Sequence, residues 1–159
     1  MNRDVIIERC LGFITGIGIP VRESAITAET FLPGITVMNG ELVVDKAQLK
    51  YPGDLLHEAG HIALMPPDTR MNLNGDVTAG DKATEGYEMG VLLWSFLAAK
   101  EAGIAAEVVF HPDGYKGDSE WLLGNFRGGT YIGLPLLEWM KMVRRDEAGK
   151  LKIIDWVRK

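Results

Sequence analysis

Residues 57 to 61 read His-Glu-Ala-Gly-His, two imidazoles four positions apart with a carboxylate directly after the first. On an α-helix, positions i and i+4 stand one turn apart on the same face, so both rings can aim at a single point. Glu58 points about 100° away from His57, beside the converging rings rather than among them. The flanks bury the segment through Leu55, Leu56, Ile62 and Leu64, while Ala59, Gly60 and Ala63 leave room next to the imidazoles. Gly60 costs about 1 kcal/mol of helix propensity relative to Ala, which predicts a packing or site reason for it. With 3 His and 12 Glu in 159 residues, chance supplies such a pentad about 0.004 times. Two satisfied histidines on a half-buried helix are therefore the weaker reading.

The pentad is HExxH, the helical zinc-site pattern of metallopeptidases. Two neutral imidazoles, His57 and His61, serve as ligands. Glu58 is placed to take a proton from a metal-bound water whose pKa the ion lowers toward roughly 7. A catalytic zinc commonly takes three protein ligands, so a third must come from elsewhere. One histidine, His111, remains outside the motif, and His61 is followed by Ile-Ala-Leu-Met-Pro-Pro with no further His. That leaves a carboxylate. The next helix offers Glu85 and Glu88 in its first turns, one turn apart on one face. A carboxylate in an otherwise apolar helix is costly unless paired or coordinated, so both are candidates.

Around the motif the chain predicts an α+β domain spanning residues 1–159, with a small, mainly antiparallel sheet packed on the HExxH helix and the Glu-bearing helix after it. Residues 3 to 15 have helical spacing, and Gly16, Gly18 and Pro20 stop them. Gly34 to Asp45 carries β-branched residues on both sides of Asn39-Gly40, a hairpin signal that puts two strands before the zinc helix. Asp54 is the expected N-cap of that helix and Pro66-Pro67 its end. Residues 68 to 81 form a loop, with Thr78 or Asp81 as cap for an apolar helix from about Lys82 to Ala102. Ala106 to Phe110 reads as a short strand and His111 to Tyr115 as a turn. Residues 118 to 126 suggest a short helix, Pro135 to Arg145 another, and Leu151 to Val157 a last strand or amphipathic turn.

Taken together, these residues resemble a gluzincin, a zincin whose third ligand is a Glu on the helix after HExxH. More narrowly, the chain resembles the small zinc-peptidase domains of the ImmA/IrrE type, which act in bacterial stress response and mobile-element control. The resemblance covers about residues 34 to 100: the hairpin, the entry Tyr51-Pro-Gly-Asp-Leu-Leu, the motif, and the Glu-led apolar helix. It implies a minimal zincin-like domain with Zn2+ held by His57, His61 and a glutamate, and Glu58 as general base. Position within the resemblance and the small residue Gly90 favour Glu88 over Glu85 as the third ligand.

The remaining features bound the function. A formal charge of −5 and no basic cluster with interleaved aromatics argue against direct nucleic-acid binding. The longest apolar run, Met89 to Ala99, falls short of the ~20 residues a bilayer requires, and Asp4, Glu8 and Arg9 break any signal-peptide pattern, so a cytoplasmic location is expected. Cys10, the one cysteine, sits among aliphatics as a small core residue. Trp94, Trp121, Trp139 and Trp156 read as core or interface residues. His111 could reach the metal site and stabilise an oxyanion, but a His before Pro is more often a turn residue; Tyr115 and Tyr131 are weaker candidates of the same kind. The expected function is zinc-dependent hydrolysis of a protein or peptide. The alternative is a metal-stabilised regulatory or protein-interaction domain without turnover. Neither the substrate nor the oligomeric state is written in the sequence.

Overall fold

A computed structural model describes residues 1–75 and 86–159. Helix α1 (Arg3–Gly16) opens on Asn2, whose side chain accepts from the Val5 amide at 2.9 Å, and buries Ile7, Cys10, Leu11 and Ile14. Three short strands follow: β1 (Val21–Glu23), β2 (Ile35–Met38) and β3 (Glu41–Val44). Asn39 and Gly40 both take positive φ, 51° and 75°, the backbone of a two-residue turn matched to strand twist. The hairpin is antiparallel, with Ile35 opposite Val44. β1 then adds to the other side of β3 in parallel, giving the order β1-β3-β2.

Helix α2 (Asp54–Leu64) is buried over its whole length. It lies beneath the sheet and against α4 (Glu88–Ala102), and a single turn, α3 (Pro67–Arg70), follows it in the chain. Gly60 marks a close approach of α2 to α4, since a Cβ there would meet Val91 Cγ1 at 2.9 Å and Trp94 Cε3 at 3.1 Å. The expected reason for that glycine is thus packing. The free carbonyls at the end of α2 are satisfied by cations: Arg70 donates to Ile62 and Met65 at 3.2 and 2.8 Å, and Arg158 donates its amide to Ala63 and its guanidinium to Leu64. The C-terminal end of α2 is therefore held in part by distant chain through Arg158.

After Gly103, left-handed at φ 71°, come α5 (Ala106–Val109), a 3-10 turn (Tyr115–Gly117), α6 (Ser119–Arg127), α7 (Leu134–Trp139) and an antiparallel pair, β4 (Val143–Arg145) with β5 (Leu151–Ile153). The architecture is the small α+β arrangement expected, with antiparallel pairing predominant. Three expectations are corrected, and the tryptophans divide between core and surface. Ala106 to Phe110 is a helical turn, not a strand, because burying Val109 and Phe110 against α4 and α6 sets its conformation. The helix from Pro135 ends at Trp139, where Lys141 at φ 59° turns the chain into β4. β1 went unread and makes three strands before α2. Trp121 and Trp139 are 58% and 66% exposed, on the outer sides of α6 and α7, whereas Trp94 is buried. The two suggested caps, Thr78 and Asp81, lie outside the described residues. Among the described residues no helix is long and apolar enough to cross a membrane.

Candidate metal centre

Helical spacing does what it promised for the two histidines. His57 and His61 turn their Nε2 atoms to within 3.2 Å of each other, with the rings at 79°. Across the α2–α4 interface, Glu88 enters from the first turn of α4 and places Oε1 3.4 Å from His57 Nε2 and Oε2 3.1 Å from His61 Nε2. The three side chains form a group that could hold a metal ion. Ligand atoms at zinc-like bond lengths of about 2.0–2.1 Å stand about 3.3–3.4 Å apart in a tetrahedron, and the contact between the imidazoles and the separate contacts of the two Glu88 oxygens each lie near that spacing. Oε2 of Glu88 is also buried without a hydrogen bond of proper geometry among the described residues. A bound cation would satisfy that oxygen.

Electrostatics prepares the group for a cation. Burial pushes the His57 imidazole down to about 4, reinforced by the charge of His61 and opposed by Glu88. The ring is therefore neutral and has a lone pair to give. For Glu88, burial acts to raise the carboxyl, but the contact from His61 and the nearness of the His57 and His61 imidazoles outweigh it and hold the group below the ordinary carboxylate value. Glu88 is thus anionic. Glu85, the alternative third ligand, lies outside the described residues.

Glu58, 7% exposed, lines the same cleft as His57 and Glu88. The cleft measures about 770 Å³ and is walled by the aliphatic and aromatic residues Phe31, Leu32, Pro33, Tyr51 and Tyr115. Glu58 also borders a smaller cavity of about 140 Å³ against Ile35 and Thr36 of β2. The buried Glu58 thus borders both cavities, one of them shared with His57 and Glu88.

The opposite wall holds groups that no short motif announced. Asp54 does not cap α2, since Gly53 occupies the cap position; instead its buried carboxylate Oδ1 meets His111 Nε2 at 2.9 Å. Burial raises the Asp54 carboxyl, against a lowering influence from His111. His111 stands in the expected turn and also faces the cleft, stacked on Tyr51 at 4.0 Å. Its contacts are with Asp54, Tyr51 and Tyr115 rather than with the ligand group. Tyr115 reaches further, its hydroxyl 3.3 Å from His57 Nδ1. Burial, with the carboxylates of Asp54, Glu88 and Glu58, raises the Tyr115 phenol well above its ordinary value, so it stays protonated. Tyr131 is not a cleft residue; it packs under the Arg145 guanidinium. Gly53 lets the start of α2 approach α5 closely, because a Cβ there would run into the Val108 carbonyl. Cys10 is a core residue whose thiol burial pushes up to about 12.

Fold and site together define a small α+β protein with a His/His/Glu group that could hold a metal ion, His61 buried and Glu88 half-buried, beside a cleft that His57 and Glu88 line. No family model, curated protein or solved structure matches the chain.

Proposed function

We propose that this protein is a zinc-dependent hydrolase of the gluzincin kind that cleaves peptide bonds. The observation that carries the reading is the placement of Glu58, a buried carboxylate beside a three-ligand group that opens onto a cleft. A structural zinc site closes all four positions with protein, and its surroundings require no base. Among the described residues three side chains could supply ligands, and His57 and Glu88 of that group line the cleft, which supports a position left for water and substrate. Zinc bound there supplies Lewis acidity, polarising a carbonyl and lowering the pKa of water toward roughly 7.

In this reading His57, His61 and Glu88 hold the ion, and Glu58 accepts a proton at its carboxylate and returns it to the leaving amine. Tyr51, Tyr115 and the Phe31–Pro33 segment exclude water from one side of the cleft and give an extended peptide apolar surface to lie on. The test is metal content together with cleavage. Protein purified without chelator should contain about one zinc per chain, and it should cleave an unbiased peptide library in a manner abolished by chelation and restored by zinc. A zinc-loaded protein that cleaves nothing would instead support a metal-stabilised interaction domain.

A further inference from the structure

The turn that follows α5 is tied to the entry of α2 at several points. Tyr51 stacks on His111 and donates its hydroxyl to Asp113 at 2.6 Å, while His111 meets Asp54 at 2.9 Å. The backbone at the end of this turn is unusual. Tyr115 and Lys116 stand at φ 55° and 54°, followed by Gly117 at 86°. Two adjacent non-glycine residues hold left-handed conformations only where their surroundings enforce them. What this conformation achieves is specific: the Tyr115 ring lies edge-on to His57, tilted against Phe110, with its hydroxyl on His57 Nδ1.

We propose that Tyr115 is a positioning residue of the metal centre: its hydroxyl oxygen accepts the Nδ1–H of His57 and fixes that imidazole in the tautomer and rotation that offer Nε2 to the ion. The inference rests on the metal-centre reading above. A neutral imidazole has one donor and one acceptor nitrogen. His57 Nε2 faces His61 and Glu88, so its lone pair belongs there and the proton belongs on Nδ1. The 3.3 Å contact with Tyr115 is at the long end for a hydrogen bond and joins the two groups directly. The two ligands are not equivalent in this respect. His61 Nδ1 is buried with no partner among the described residues, so among them the polar support for the imidazole pair comes through His57.

Tyr115→Phe removes one oxygen and keeps the ring and its packing. Zinc affinity, measured by competition with a chromophoric chelator, should fall about 10 to 100-fold, the usual consequence of losing a group that orients a ligand. Thermal unfolding of the metal-free protein should be unchanged. Nitrogen-15 spectra of the imidazoles should show His57 protonated at Nδ1 in the wild type and a tautomer mixture in the variant. If Tyr115→Phe binds zinc as the wild type does, with the same tautomer, the role assigned to Tyr115 is wrong while the metal site stands. If the wild type binds neither zinc nor cobalt, the metal reading fails and takes this inference with it. Should the variant lose stability, His57→Ala decides: adding Tyr115→Phe to it should cause no further loss of affinity, whereas a further loss as large as in the wild type overturns the proposal.

Discussion

His61 Nε2 and Glu88 Oε2 lie 3.1 Å apart across the interface of α2 and α4, joining two helices that meet tightly because Gly60 has no side chain. The group that could hold a metal ion is therefore a product of helix packing as much as of the HExxH motif. Two residues come from one helix by spacing. The third arrives only if the helices close.

Replacing both His57 and His61 with Ala should abolish metal binding. Elemental analysis of protein purified without chelator checks this. Full metal content in the double variant would place the ion elsewhere.

Glu88→Ala should weaken zinc binding more than Glu85→Ala. Glu88 sits within 3.4 Å of both imidazoles, and removing a direct ligand should cost more than the roughly 10 to 100-fold that follows loss of a group supporting a ligand. A competition titration ranks the two variants. Glu85→Ala as the worse binder would reverse the assignment.

Gly60→Ala should destabilise the protein despite the gain in helix propensity, because the new methyl meets Val91 and Trp94 at 2.9 and 3.1 Å. Overpacking of this kind costs typically about 1–3 kcal/mol, and the shift of α4 should weaken zinc binding as well. Chemical denaturation and zinc titration of the variant read both effects. A stabilised variant with unchanged affinity would mean that the helices do not pack this way.

Much of this was legible before the fold was known, and what was legible was local. The pentad His57 to His61 encodes its own geometry in a four-residue spacing, and Asn39-Gly40 encodes a turn through two positive φ values. What escaped was long-range. Asp54 meets His111 and His57 meets Tyr115 across nearly sixty residues, with no periodicity linking the partners. β1 is three residues long, and its pairing with β3 is decided twenty positions away. Ala106 to Phe110 was misread because two adjacent valines favour a strand, and a run this short cannot separate a period of 2 from one of 3.6.

Acid should weaken the metal-free protein across a defined window. Burial holds folded His57 at about 4, below the unfolded value of about 6.5. Above that value the ring is neutral in both states. As pH falls from about 6.5 toward about 4, the unfolded chain takes up a proton that the folded one does not, so stability is lost, by about 3 kcal/mol at most. Asp54, raised by burial, acts in the opposite sense and is present in every comparison. Denaturation at about pH 7 and about pH 4.5 should therefore cost the wild type more than His57→Gln. Equal losses would contradict the assignment.

The most direct test of the account is Glu58→Gln. The amide conserves size and can still hydrogen-bond, but it cannot accept a proton at neutral pH. The variant should keep its zinc and its thermal stability while peptide cleavage falls about 10² to 10⁴-fold, the range for loss of a general base. Digestion of a peptide library by both proteins, with and without chelator and read by mass spectrometry, measures it. Zinc-dependent cleavage by the wild type and its near loss in Glu58→Gln is the predicted result; equal cleavage by the two proteins would contradict the mechanism.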